Sequence, residues 1–233
     1  MEFTYLIANI AVLSIPLLFS FHRRFPFYKT WFAFWPAALL TATLFISWDM
    51  LFTALNIWSF NPAHLTGIYL FNLPVEEWLF FICIPYACTF TYFCFGRWIQ
   101  KINFPYQQIV SFLLASSLLA TGIYHYHRLH TSVTFIALAA FLIGCQWVFK
   151  VKWLGTFYIT WAFLLIPFLL VNGILTGTFL QEPVFFYKAD EILNVRLLTI
   201  PIEDLFYGML MALMNVSLYE YFLTKKTAQL QIA

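Results

Sequence analysis

The sequence predicts an all-α integral membrane protein with seven transmembrane helices, built as two parallel three-helix repeats joined by a linker helix. Three observations lead there. The chain of 233 residues is 63% hydrophobic and 9% charged, with mean hydropathy +0.82, which is more apolar surface than one water-soluble core can hide. Stretches free of Asp, Glu, Lys and Arg recur at the length of a membrane span, about 20 residues. Two short motifs, Leu73-Pro74-Val75-Glu76-Glu77 and Ile200-Pro201-Ile202-Glu203-Asp204, repeat at an offset of 127 residues that also brings Phe80 onto Tyr207 and Tyr92 onto Tyr219.

The uncharged stretches read as spans run from 3 to 22, 30 to 48, 78 to 96, 102 to 127, 129 to 149, 153 to 181 and 205 to 219. The first has no basic segment before it and is followed by His22-Arg23-Arg24 rather than a small-residue cleavage site, so it is read as a retained span and not a signal peptide. The fourth, centred on 107 to 125, is the least apolar, with Gln107, Gln108 and three serines. With the N-terminus outside, Arg23, Arg24, Lys29, Arg97, Lys101, Lys150, Lys152, Lys225 and Lys226 fall on the inner side, nine of the twelve basic residues; Arg128, Lys188 and Arg196 fall outside. The excess of inner positive charge orients the chain: a multi-pass protein of the cell (inner) membrane, with the C-terminus cytoplasmic. Span four then turns the second unit to the same orientation as the first, a parallel repeat. The division is 1–100, first repeat; 101–128, connecting helix; 129–233, second repeat.

Proline is favoured in the first helical turn and acids are favoured there by the helix dipole, so both motifs start helices, three and seven, at the outer face. For one copy alone, helix capping accounts for the pattern. Depth adds a further demand: the uncharged part of helix seven, 205–219, covers only ~22 Å of a hydrocarbon core ~30 Å thick. Glu203 and Asp204, or Glu220 at the other end, must therefore enter the low-dielectric region, where ionisable groups are costly and face a bundle interior. Asp49, at the outer end of span two, is a third such group, and Asn172, near the outer end of span six, is its nearest counterpart in the second unit.

Several chemistries lack their residues. There is no GxGxxG or P-loop for a nucleotide or flavin, no DDxxD pattern, and no lysine between 201 and 223 for a retinal Schiff base. Cys83, Cys88, Cys94 and Cys145 lie in apolar runs without CxxC spacing, so they read as core fillers rather than disulfides or a zinc site. His125-Tyr126-His127-Arg128-Leu129-His130 reads as a solvated or interfacial cluster, since a di-iron site needs several such boxes; His22 and His64 stand alone. No metal is expected, and the net charge of +2 without a basic aromatic patch suggests no nucleic-acid partner.

Acids kept from water favour the neutral form, and a neutral carboxylic acid among aromatic faces is suited to protonating a carbon–carbon double bond. The 29 Phe, 13 Tyr and 9 Trp include interfacial belts, but near the acids such faces also attract a carbocation. Trp48, Trp58, Phe80, Phe81 and Tyr207 are candidates by sequence proximity. Adjacent acids point about 100° apart on a helix, and the i, i+4 pairs Glu76 with Phe80 and Glu203 with Tyr207 favour Glu76 and Glu203 as the pair facing a substrate. Glu77 and Asp204 are the remaining acids of the two motifs.

Trp48-Asp49, Trp58-Ser59-Phe60-Asn61-Pro62, Gly67 and Leu73 to Phe81 resemble the first half of the flavin-independent lycopene cyclases, which occur as small heterodimers or fused. Val171-Asn172-Gly173-Ile174-Leu175-Thr176-Gly177, Pro183-Val184, Tyr187, Arg196 and Ile200 to Asp204 with Tyr207 resemble the second half. The resemblance implies both subunits fused through helix four, a lipophilic carotenoid substrate in the lipid bilayer, and association with other carotenoid-pathway enzymes. It further implies a cofactor-free isomerisation of lycopene, through γ-carotene, to β-carotene. Glu76 or Glu203 would be the acid; the same group or a neighbour such as Asp49 would recover the proton. Asn172 cannot act as a base, and Arg196 has no basic partner at the matching Tyr69, so the halves differ. The alternative reading is a related membrane carotenoid enzyme of the same architecture, an ε-type or C50 cyclase or a hydratase. A proton-coupled transporter would need a water-lined path with broken helices, for which few Gly and Ser stand at corresponding places.

Overall fold

The computed structural model describes residues 3–98 and 104–232; Lys101 and the expected boundary at 100/101 lie outside the described residues. Seven α-helices lie among them: α1 Thr4–Phe19, α2 Trp31–Ala54, α3 Val75–Trp98, α4 Gln107–Tyr124, α5 Leu129–Ile143, α6 Leu154–Leu175 and α7 Ile202–Ile232. Among the described residues, five segments are long and apolar enough to cross a membrane: Phe27–Ala54, Val75–Trp98, Gln107–Tyr124, Leu129–Val148 and Leu154–Leu175. The protein is therefore an all-helical membrane protein. α1 is shorter, and α7 carries Glu203, Asp204, Glu220, Lys225 and Lys226 along its 31 residues.

The loops between α2 and α3 and between α6 and α7 are more ordered than their composition suggests. They hold β1 Trp58–Phe60, β2 Tyr69–Leu70, β3 Leu73–Pro74, β4 Phe185–Tyr187, β5 Arg196–Leu197 and β6 Ile200–Pro201. β2 pairs with β3 and β5 with β6 as two small hairpins, Tyr69 opposite Pro74 and Arg196 opposite Pro201. Both prolines thus end a strand, and α3 and α7 begin one residue later. Proline fits there because it has no N–H to give to a ladder and its fixed φ suits the helix entry. The hairpins match at the 127-residue offset to the level of single bonds: Val75 N–H donates to Ile68 O at 2.9 Å and Ile202 N–H to Val195 O at 3.0 Å. β1 pairs antiparallel with β4, Trp58 opposite Tyr187, Ser59 opposite Phe186 and Phe60 opposite Phe185.

Two compact units divide the chain, and neither is continuous in sequence. One comprises Met1–Leu51, Pro62–Trp98 and Met211–Ala233; the other Phe52–Asn61 and Ile99–Leu210. The first has an aromatic core in which Phe27 meets Phe34, Tyr86, Phe90, Phe93 and Tyr219. Tyr92 OH donates to Glu220 Oε1 at 2.7 Å, so the carboxyl in the second half of α7 has a partner inside its unit.

In the second unit a polar network fastens α4. Gln107 Nε2 donates to Gln146 Oε1 at 2.9 Å and to Val151 O at 3.2 Å, while its Oε1 accepts Gly155 N–H at 2.9 Å. Ser111 hydrogen-bonds Tyr158 OH at 2.6 Å. Gln107 and Ser111 are thus inward-facing groups with partners, the condition under which polar side chains persist in a membrane bundle, whereas Gln108, Ser116 and Ser117 are exposed.

Candidate active site

Each Pro-acid motif delivers its two acids to different partners, as the 100° step between adjacent helical residues requires. In the first unit Glu76 is fully buried, and its Oε1 accepts Thr66 N–H at 2.6 Å. Asn9 Nδ2 donates to Glu76 O at 2.8 Å. In the second unit Glu203 is equally buried; its Oε1 accepts Leu193 N–H at 2.6 Å and Thr131 Oγ1–H at 2.6 Å. Thr66 and Leu193 are again 127 residues apart. In both units the second carboxyl oxygen, Glu76 Oε2 and Glu203 Oε2, is buried without a hydrogen-bond partner among the described residues.

The duplicated contact is structural and chemical at once. Tying one oxygen to a loop N–H fixes the carboxyl and the loop that leads into its hairpin. A buried polar atom left unpaired is costly, and in each unit that cost falls on the carboxyl oxygen that takes no loop N–H.

The second acid of each motif enters a side-chain cluster. Glu77 Oε2 accepts Tyr5 OH at 2.7 Å, and the Glu77 side chain also hydrogen-bonds Asp49; all three residues are buried. Asp204 Oδ2 accepts Tyr187 OH at 2.7 Å and Asn172 Nδ2–H at 3.0 Å, with His130 Nε2 at 3.5 Å from Oδ1. Asp49 and Asn172 thus hold the same position against the second acid, one as a carboxyl and one as an amide. A tyrosine hydroxyl serves both, but from different elements: α1 in the first unit, β4 in the second.

The expected aromatic residues divide between the units. Phe80 lies 6.1 Å from Tyr5 and 5.5 Å, edge-on, from Phe81 between ring centroids; Trp48 stacks on Phe45, which also meets Phe81. Trp58, placed by sequence near the first motif, belongs instead to the second unit. It meets His130 edge-on at 5.1 Å and Tyr207 at 6.1 Å, and Tyr187 stacks 6.1 Å from the imidazole. Tyr207, the i+4 neighbour of Glu203, thus shares the rings around the Asp204 cluster. Arg196 is exposed; it donates to Thr199 O at 2.6 Å and lies 5.9 Å from the Tyr187 ring.

His130 corrects the expectation of a solvated histidine cluster. His127 is exposed, but His130 is buried in the first turn of α5, enclosed by Phe52, Trp58, Tyr187 and Tyr207. His64 is also not alone, since its Nδ1 meets Thr4 Oγ1 at 3.1 Å. Sequence reading missed Tyr5, His130 and Tyr187 as partners of the acids. The signal available was the alternation of spans, which predicts the starts of spans one, three, five and seven at one face and so residues 5 and 130 near the level of the two motifs.

No curated protein and no solved structure matches the chain. The family profile described as lycopene cyclase matches twice, over residues 2–95 and 127–222, so each half carries the pattern and each match ends beyond its own acidic pair. Two matched regions covering most of the sequence, on apolar helices with buried carboxyls at equivalent places, make this chain a member of the lycopene cyclase family: a membrane-embedded enzyme that cyclises a carotenoid.

Proposed function

We propose that the protein converts lycopene to β-carotene through γ-carotene, by an isomerisation that a protein carboxylic acid starts and that needs no cofactor. The observation that carries this reading is the pair of unpartnered buried oxygens, Glu76 Oε2 and Glu203 Oε2. A neutral carboxyl there adds its proton to the terminal double bond of the polyene and leaves a tertiary cation. The internal double bond attacks that cation and closes a six-membered ring, moving the positive charge into the ring. Loss of a ring proton to a carboxylate restores the double bond and the acid, so no atom or electron is gained or lost. General acid catalysis of this kind is worth roughly 10²–10⁴-fold.

The neighbouring groups have defined work. Glu77, hydrogen-bonded to Asp49, and Asp204, beside His130, recover the proton at the end of the cycle. Tyr5, Asn172 and Tyr187 orient the carboxyls. Trp48, Trp58, Phe80, Phe81 and Tyr207 present ring faces to the cation, an attraction of up to ~2 kcal/mol each when desolvated. All seven helices cross the bilayer, as two parallel three-helix repeats joined by α4, with the N-terminus outside.

Expression in a lycopene-accumulating bacterium, followed by pigment chromatography, tests the reading. The expected result is β-carotene without added flavin or reductant, with one deuterium gained per ring in heavy water. Unchanged lycopene alongside properly inserted protein would remove the assignment, and a hydroxylated product would make the enzyme a hydratase.

A further inference from the structure

The two hairpins that lead into the acidic helices have turn chemistry that folding alone does not explain. Their tips, Phe71 and Leu198, have φ of 58° and 57°, a left-handed backbone that bulky side chains rarely adopt and that glycine or asparagine enters at little cost. Four residues earlier the chain does the ordinary thing: the left-handed positions 67 and 194 are Gly67 and Asn194. The tips instead carry large apolar groups, 80% and 71% exposed. Their neighbours Ile68, Tyr69, Leu70, Val195 and Leu197 are exposed as well.

These groups are held outward. The backbone bonds from Val75 to Ile68 and from Ile202 to Val195 close each hairpin against its helix. Asn72 Nδ2 donates to Met50 O at 2.7 Å, and Thr199 Oγ1 to Gly173 O at 3.4 Å, which ties each turn to the end of the preceding helix. The carboxyls of Glu76 and Glu203 secure the loop before each hairpin. A rigid turn that displays apolar side chains at a conformational cost, twice over, is a contact surface and not a connector.

We infer that both hairpins lie in the bilayer at the boundary of acyl chains and headgroups, with Phe71 and Leu198 inserted among the chains. The helices that flank them, α2, α3 and α6, already expose apolar side chains along their lengths, so the hairpins continue a lipid-facing surface. The boundary suits them better than the hydrocarbon centre, because the outer edge of a two-stranded hairpin leaves backbone groups that need water or headgroups. Tyr69, with one polar end, is of the type found at that depth. The hairpins that lead to Glu76 and Glu203 then lie in the lipid from which an apolar substrate arrives. The inference concerns depth alone and survives whatever reaction the acids perform.

Spin labels report it. Single-cysteine variants Phe71→Cys and Leu198→Cys are made in the full chain with Cys83, Cys88, Cys94 and Cys145 replaced by alanine, and reconstituted in phosphatidylcholine vesicles. Collision with oxygen, which concentrates in lipid, is compared with collision with a water-soluble nickel complex. Leu113→Cys, on the exposed apolar side of α4, gives the lipid reference and Asp190→Cys the water reference. The expected oxygen-to-nickel ratio at both tips lies several-fold above that at 190 and below that at 113. Because a label at a left-handed position can disturb the turn, Leu70→Cys and Leu197→Cys repeat the measurement within the same hairpins and should give the same ordering. A ratio equal to either reference, or labels shielded from both reagents by another protein surface, would overturn the inference.

Discussion

Asp49 and Glu77 hydrogen-bond to each other through their side chains, both buried in the first unit. Two carboxyls can do so only if one of them carries a proton, because an ionised carboxylate has none to donate. The second unit meets the same requirement without that proton, through the amide of Asn172 at 3.0 Å from Asp204. Asp49→Asn should therefore keep a donor against Glu77 and retain turnover within about tenfold, whereas Asp49→Leu, which leaves a buried oxygen short of a partner, should lose roughly a hundredfold. Pigment yields from equal amounts of inserted protein decide it. If the two variants were equally inactive, the donor would not be what Asp49 supplies.

Glu76→Gln and Glu203→Gln keep the oxygen that accepts the loop N–H but cannot protonate a double bond. Each should cut cyclisation by roughly 10²-fold or more with little change in membrane insertion, while Cys83→Ser, at a buried residue outside both acidic motifs, should be nearly silent. Near-full turnover by both glutamine variants would remove these residues as proton donors.

Tyr5→Phe and Tyr187→Phe each delete one hydroxyl that donates at 2.7 Å to a carboxyl. The expected cost is about 1–3 kcal/mol of stability, read as a lower unfolding temperature in detergent, with reduced turnover at a temperature where both proteins remain folded. An unchanged melting temperature would mean that the carboxyls find other donors.

His130→Phe keeps a ring among Phe52, Trp58, Tyr187 and Tyr207 but removes the imidazole beside Asp204. Phe3 occupies the matching position of the first repeat, so the fold should tolerate the change. Turnover should fall by about tenfold or more. Wild-type rates would reduce His130 to a packing residue.

Gln107→Leu should uncouple α4 from the turn between α5 and α6, because three hydrogen bonds end on this one side chain. Their loss leaves buried groups unpaired at about 1–3 kcal/mol each. Thermal unfolding and protease sensitivity of the α4 region would show it; equal stability would make the network dispensable.

The helices and the paired acids were legible in the sequence because lipid imposes a length and penalises charge, so a run without charge and a carboxyl at its end both stand out. The partners of the acids were not. Tyr5 looks like any interfacial aromatic, since its apolar body fits a membrane span and only the fold aims its hydroxyl at a residue 72 positions away. His130 sat next to His125 and His127 in sequence, and only the packing of α5 buries it while they stay nearer the surface. Trp58 followed the first motif's neighbourhood on paper, yet its strand pairs with β4. The hairpins were hidden for a different reason: two-residue strands carry too little alternation to be seen, and their turn tips lack the glycine that marks such turns.

The ladder between β1 and β4 has a consequence for the origin of the chain. Ser59 and Phe186, which face each other at its centre, occupy the same place in the two repeats, 127 residues apart, and so do the residues on either side. A strand that pairs antiparallel with its own duplicate is self-complementary, and self-complementarity of that kind is what two identical subunits require to join about a dyad. A half-length ancestor carrying one such strand would already have possessed the means to dimerise, and joining the two copies end to end would have turned that encounter into a permanent one.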